Sequence, residues 1–159
     1  MASLDDLFKT IAENYGIEEP QADSDGAYSL ICDSVELTLV PADGGDAVLI
    51  YAPIAPQPES CAGTLAQVLL QVNHLFKGGE GASFSLDPET HRYCLQRVLD
   101  LSSADADGFA QALSSFIGLA EHWQTMISQY APDEQTAEEA PSSEPDPDAV
   151  SGAMHWMAV

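Results

Sequence analysis

The chain has 159 residues, the length of one ordinary domain with a short additional segment, and 45% of its residues are hydrophobic. It carries 26 Asp and Glu residues against 4 Lys and Arg residues, a net charge of −22. Four scattered cations cannot displace the counterions of a nucleic acid or bind an anionic membrane surface, so neither partner is expected. The sequence contains no apolar run of 18 residues and no basic, apolar leader, which argues against membrane insertion and export. Its three cysteines, an odd number without metal-like spacing, are interpreted as reduced thiols of a cytosolic protein.

The first 60 residues predict one helix and three strands. Apolar residues at three- and four-residue steps predict an amphipathic helix over residues 3–15. Ser3 and Asp6 have the spacing of a capping box, and Gly16 is a suitable stop. Alternating apolar residues separated by short turns then predict an antiparallel meander. The three predicted strands are residues 27–32, 35–40 and 47–53.

The next 70 residues predict two further helices and two further strands. Ser60 can cap a helix over 61–77, which ends at the glycines that follow. An Asp-Pro turn separates the two strands, and Ser103 or Asp105 can cap the last helix. These strands are predicted at 82–86 and 91–101, and the last helix at 106–130. The predicted fold class is α+β: a five-stranded antiparallel sheet with three helices, in the order α-β-β-β-α-β-β-α.

The second helix has a wider apolar stripe than a helix covered on one side needs. Such a stripe is typical of a helix that packs both on its own sheet and on a second subunit, so we expect a symmetric homodimer. The expected dimer interface consists of Leu65, Val68, Leu69 and Val72. Asn73, at the end of this stripe, has two open interpretations: it faces a helix edge, or it bonds to the glycine loop that follows.

The composition changes after residue 131. Residues 132–148 hold seven acidic residues, four prolines and no basic residue, which predicts a solvated, disordered segment. We therefore expect a folded domain over residues 1–131 and an acidic, proline-rich tail over residues 132–159. The last six residues, 154–159, are uncharged and partly apolar.

Catalytic and metal-binding patterns are weak. His91 and Cys94 lie three apart on a predicted strand, so their side chains point to opposite faces, and Cys94 is interpreted as a buried structural cysteine. The glycines at 78–81 follow a helix rather than precede one, which favours a turn over a phosphate-binding loop. The carboxylates and histidines lack ligand spacing. We expect no enzyme activity, no metal site and no cofactor, with a cysteine hydrolase using Cys94 as a remote alternative.

Three short stretches resemble a known family. They are Leu69-Leu70-Gln71-Val72-Asn73-His74-Leu75, Gly78-Gly79-Glu80-Gly81-Ala82 and Leu86-Asp87-Pro88-Glu89. Together with the order of elements, the small size and the acidity, they are similar to the class I type III secretion chaperones over about residues 3–130. The chain departs from that family at Thr90-His91, where many members have a glycine, and in its long tail.

The resemblance implies a non-enzymatic homodimer in the bacterial cytoplasm. Such a protein binds the N-terminal segment of a secreted effector as an extended chain and keeps it soluble and competent for secretion. Apolar patches on the first helix and the sheet would hold that segment. The expected contacts are Leu4, Leu7, Phe8 and Ile11 on the helix and Leu37, Leu39, Leu49 and Tyr51 on the sheet. Residue by residue, the alternative that these side chains fill the core stays open, and the competing function is an acidic adaptor or regulator that binds a folded partner.

Overall fold

The computed structural model describes residues 3–15, 18–42, 44–59, 61–76 and 79–130. The predicted α+β order is confirmed. A single 3₁₀ turn, His74–Phe76, follows the second helix. The elements are α1 (Leu4–Tyr15), β1 (Tyr28–Cys32), β2 (Val35–Pro41), β3 (Ala47–Pro56), α2 (Ala62–Asn73), β4 (Ser83–Leu86), β5 (Arg92–Asp100) and α3 (Ala106–Tyr130). The predicted tail lies outside the described residues, as do Gly16, Ser60 and Gly78, which were expected at helix ends.

Of the three predicted helix caps, the two that lie within the described residues are present. The Ser3 hydroxyl accepts a hydrogen bond from the backbone N–H of Asp6 at 3.2 Å, and the Asp6 carboxylate accepts one from the backbone N–H of Ser3 at 3.1 Å. This reciprocal pair satisfies two helix donors and orients the chain into α1. The hydrogen bonds from Ser3 hold the pKa of Asp6 below its ordinary value. At α3, Asp105 accepts from the backbone N–H of Gly108 at 2.8 Å.

The sheet is antiparallel throughout, with the strand order β1-β2-β3-β5-β4. Its edges are therefore β1 and β4. The sequence predicted that β3 ends at Pro53, but it continues to Pro56 beside β5 with an irregularity between Pro53 and Ala55. The pairing of β3 with β2 ends at Tyr51, so the side of β3 that faces β2 is unpaired beyond that residue. Prolines are tolerated there because no ladder hydrogen bond is lost on that side.

All three helices cover one face of the sheet. α3 contacts β2 and β3, α1 packs against α3, and α2 lies over β4. The core between these layers includes Val35, Leu37 and Leu39 of β2, and Phe109 and Phe116 of α3. Phe8 links the layers, because its ring lies 5.0 Å from that of Tyr28 and 5.6 Å from that of Phe109. The opposite face of the sheet carries no helix among the described residues.

The turn between β4 and β5 contains Thr90 and His91, where the chain departs from the family that it resembles. Asp87 accepts hydrogen bonds from the backbone N–H of Glu89 at 2.9 Å and from the hydroxyl of Thr90 at 2.6 Å. These hydrogen bonds hold the pKa of Asp87 below its usual value, and the bond from Thr90 has the larger effect. His91 then adopts a left-handed backbone with φ of 52°. Glycine takes that conformation without steric cost, so His91 strains this turn slightly.

Candidate partner-binding surfaces

Six of the eight residues expected to contact an effector are buried in the core of the protomer. The four predicted contact residues of α1 are buried against the rest of the protomer, with 7% or less of each side chain exposed. Only Leu49 and Tyr51 are partly exposed, because they alternate with the buried Val48 and Ile50 and therefore point to the other face of β3. The six buried residues are Leu4, Leu7, Phe8, Ile11, Leu37 and Leu39.

The uncovered face of the sheet carries an apolar row, which we call the open sheet face. Leu49 of β3 lies directly opposite Val40 of β2 on one side and Val98 of β5 on the other. Val98 is 65% exposed and Val40 37% exposed. Neighbouring strands lie about 4.8 Å apart, so the row extends for about 10 Å across three strands. Ile31, 79% exposed on β1, continues the same face toward the sheet edge.

A second apolar surface lies between α1, α3 and the end of β1, and we call it the α1–α3 groove. It is an open cavity of about 760 Å³ whose lining includes Ile11, Cys32, Ala110, Leu113 and Ile117. Burial raises the pKa of the Cys32 thiol, which keeps it protonated and apolar. The carboxylates of Asp33 and Asp107 also line the groove. Ile11, a predicted contact residue, therefore reaches this groove although it is mostly buried.

The two edges of the sheet differ in their backbone hydrogen bonding. At β4, the Nδ2 of Asn73 donates to the Phe84 carbonyl at 3.0 Å, and the Oδ1 of Asn73 accepts from the Phe84 N–H at 2.7 Å. Asn73 therefore closes the β4 edge as a strand neighbour would, and neither of its two predicted roles was right. At β1, a single bridge pairs Ala22 with Tyr28. Beyond this bridge, the rest of β1 has no outer strand among the described residues.

A third apolar surface surrounds the end of α2, and we call it the α2–β4 surface. Leu70, Leu75, Phe76 and Leu86 are exposed here, beside a cavity of about 190 Å³ between α2 and β4. Leu75 and Phe76 have left-handed backbones, with φ of 59° and 52°. Each costs about 1 kcal/mol, and such strain at bulky residues points to a functional restraint.

The residues expected at the dimer interface lie next to the α2–β4 surface rather than on it. Leu65 and Leu69 are only 2% and 3% exposed and belong to the core of their own protomer. Val68 and Val72 are half-buried. That the wide stripe of α2 also contacts a second subunit stays a prediction. Leu65 and Leu69 face the core of their own protomer, and Leu70, 69% exposed, is the exposed apolar residue of the helix.

Cys94 has the surroundings of a structural thiol. It is 5% exposed, its Sγ lies 3.7 Å from the carbonyl oxygen of Arg92, and burial raises the pKa of the thiol. A raised pKa removes the thiolate that nucleophilic catalysis needs. Among the described residues, no three His, Cys, Asp or Glu side chains are placed to hold a metal ion. No helix in the described part of the chain has the length and apolarity to span a membrane.

Solved structures of low sequence identity share this fold. The ExsC–ExsE complex matches with a TM-score of 0.64 at 21% identity, covering 77% of this chain and 95% of the other. The HopA1–SchA chaperone–effector complex matches with a TM-score of 0.63 at 15% identity, covering 75% and 91%. YbjN from E. coli, described as a putative transcription regulator, matches with a TM-score of 0.60 at 15% identity, covering 79% and 91%. Likeness at these identities shows the fold alone.

Comparison with family models identifies the chain more closely. A search of curated protein sequences finds no significant match. The model of the Tir chaperone protein (CesT) family, however, matches residues 6–124. This match spans α1 to most of α3 and includes all five strands and the three stretches that suggested the resemblance. The chain belongs to the Tir chaperone protein (CesT) family.

Proposed function

We propose that this protein is a type III secretion chaperone, which binds the N-terminal segment of a secreted effector and keeps it soluble and competent for secretion. It acts in the bacterial cytoplasm without catalysis or a cofactor. The observation that carries this proposal is an uncovered apolar row, Val40–Leu49–Val98, on the same sheet as an unclosed strand edge at β1. Family membership supports it, as does the likeness of the fold to that in the HopA1–SchA chaperone–effector complex.

The geometry suits an extended, unfolded client better than a folded one. A segment laid along β1 gains main-chain hydrogen bonds, and its alternate side chains can reach the apolar surfaces on either face of the sheet. Those surfaces are the open sheet face, near Ile31, and the α1–α3 groove, near Cys32. Ile31 and Cys32 are neighbours on opposite faces of β1, so a segment added beside β1 can contact both side chains. The row of Val40, Leu49 and Val98 lies further in, on β2, β3 and β5, so a further part of the same client has to cross the open sheet face to cover it.

The charge supports the same function. Residues 1–131 contain 19 acidic residues against 4 basic ones. This charge keeps proteins with exposed apolar rows apart in solution and attracts basic client segments. We expect it to limit aggregation of the free protein through the exposed Leu70, Val98 and Ile31.

A homodimer accounts for the α2–β4 surface. Leu70, Leu75, Phe76 and Leu86 are exposed together at the end of α2 and along β4. Leu75 and Phe76 adopt left-handed backbones, and their side chains are 67% and 56% exposed rather than packed in the core of their own protomer. A symmetric contact buries the same patch on both copies, as twofold interfaces do. We propose that this surface, flanked by the half-buried Val68 and Val72, forms the dimer interface.

The test of the client site compares three substitutions that each introduce one carboxylate. Val98→Asp and Val40→Asp place it on the open sheet face, while Gln129→Asp places it on an exposed position of α3. Burying a neutral polar group without a partner costs about 2–7 kcal/mol and an ionised carboxylate costs more, against about 8 kcal/mol for a whole micromolar complex. We expect the first two to abolish co-purification of the effector and the third to preserve it, with unchanged circular dichroism in all three.

Binding experiments of this kind also distinguish the chaperone from the competing function, an adaptor that binds a folded partner. Retention of the effector by both Val98→Asp and Val40→Asp would contradict the open sheet face as the client site. A partner that still binds after deletion of its N-terminal segment would indicate an adaptor for a folded protein instead. Leu39→Asp does not serve as a test of binding, because Leu39 is fully buried and its substitution would unfold the protein.

A further inference from the structure

The last eleven residues of the sequence differ from the segment before them. Residues 132–148 carry seven acidic residues, whereas residues 149–159 have none and include Val150, Met154, Trp156, Met157 and Val159. An acidic, proline-rich stretch is a poor binding segment for an acidic domain. An uncharged stretch with a tryptophan and two methionines has the composition of a binding segment instead.

We propose that segment 149–159 docks in the α1–α3 groove of its own chain, with the Trp156 side chain as its anchor. The segment then shields the groove from solvent until an effector displaces it. The docking stands on the groove and the segment alone, while the displacement rests on the proposed function.

The groove lies within reach of the connecting chain. Leu113, which lines the groove, lies 17 residues before Tyr130 on α3, which is about 26 Å along the helix axis. Trp156 follows Tyr130 by 26 residues; even a Gly-rich coil of that length spans roughly 25–31 Å, and an acidic sequence with prolines favours a longer span. Because the segment is tethered to α3, its effective concentration at the groove exceeds that of a free peptide.

Charge selects which part of the chain can approach. The described domain is strongly acidic, and Asp33 and Asp107 line the groove itself. Residues 132–148 are therefore repelled from the groove. Residues 149–159 contain no acidic side chain, and they are the first stretch of more than ten residues after Tyr130 that is not repelled in this way. The acidic residues thus act as a spacer, and the neutral residues act as the contact.

The groove also fits this occupant better than the other two apolar surfaces do. It lies on the helix-covered side of the sheet, between α1 and the helix from which the segment departs. The open sheet face lies on the other side, so a chain leaving α3 must pass around a sheet edge to reach it. The cavity at the α2–β4 surface is about 190 Å³, against about 760 Å³ for the groove.

Fluorescence of the full chain tests the burial of Trp156. Subtracting the spectrum of the Trp156→Ala variant from that of the wild type isolates the emission of Trp156, because Trp123 is common to both chains. We expect blue-shifted emission and severalfold weaker quenching by acrylamide than for a peptide of residues 149–159. Emission and quenching equal to those of the peptide would overturn the proposal.

Cross-linking tests where the segment docks. The Met157→Cys chain, which keeps the Trp156 anchor, should form a disulfide with Cys32 when treated with diamide, because Cys32 lines the groove. The matched control carries Met157→Cys with Cys32→Ser and Ile31→Cys, which moves the thiol by one residue to the opposite face of the sheet. We expect cross-linking to be about tenfold or more slower in the control, as the effective concentration falls. Equal rates, or a bond that joins two chains, would overturn intramolecular docking, and neither result bears on effector binding.

Discussion

Removal of the Asn73 side chain should destabilise the fold by about 1.5 kcal/mol. The amide makes two hydrogen bonds with Phe84, of 3.0 and 2.7 Å, and each such bond contributes about 1 kcal/mol net. Asn73→Ala loses both, while the better helix propensity of alanine returns roughly 0.5 kcal/mol at the end of α2. At about 2–4 °C per kcal/mol for a chain of this size, the thermal midpoint should fall by about 3–6 °C.

The Asn73→Asp variant adds a pH signature that a change in packing would not show. The carboxylate can accept from the Phe84 N–H but repels the Phe84 carbonyl, whereas the protonated carboxyl can donate to that carbonyl. The folded state therefore favours the neutral form, which raises the pKa of the introduced carboxyl. The stability gained from its neutral form is complete below its unfolded pKa and is lost as the pH rises through the folded pKa. The stability gap to the wild type should narrow as the pH falls from about 8 to about 5.

Urea denaturation followed by circular dichroism measures both effects. Gln71→Ala, at an exposed position of the same helix, is the matched control and should remain within about 0.5 kcal/mol of the wild type. The reasoning is refuted if Asn73→Ala is as stable as this control. It is also refuted if the gap between Asn73→Asp and the wild type does not depend on pH.

Three further predictions follow from individual contacts. Burial, and after it the hydrogen bond that Tyr28 donates to Asp5, raises the pKa of Tyr28 to about 12. The wild type should therefore lose stability between about pH 10 and 12, and Tyr28→Phe should lose less when alkaline unfolding is measured. His91→Gly relieves a left-handed backbone and should stabilise the fold by about 1 kcal/mol, and an unchanged or lower thermal midpoint would argue against strain at this turn. Phe76→Glu should convert a dimer into a folded monomer in light scattering, whereas a monomeric wild type would contradict the dimer.

Local patterns were sufficient to predict the order of elements. The capping box at Ser3 and Asp6, the alternation along β2 and the span of the last helix each depend on neighbours in sequence, and each was confirmed. The end of β3 was predicted too early, because proline is taken as a strand terminator unless the pairing on one side of the strand is known to end before it. Local rules do not contain that information.

The binding surfaces required tertiary structure. A stripe of apolar residues on α1 has the same appearance whether it faces a core or a client, and here the core takes all of Leu4, Leu7 and Phe8. Val40 and Val98, which form the apolar row with Leu49, lie 58 residues apart and become neighbours only through β3. The role of Asn73 likewise depends on a strand edge eleven residues away. The position of Asn73 at the end of an apolar helix indicated a special role, but it did not indicate which backbone group the side chain would bond.

Hydrogen exchange of the full-length protein, alone and in complex with the N-terminal segment of a co-purified effector, tests the central claim most directly. The account predicts slower exchange at the β1 amides that face away from β2, because an added strand would bind them. It predicts no change at Phe84, whose N–H is already bonded to Asn73. Protection of β4 with none at β1, or the absence of any bound N-terminal segment, would contradict the account.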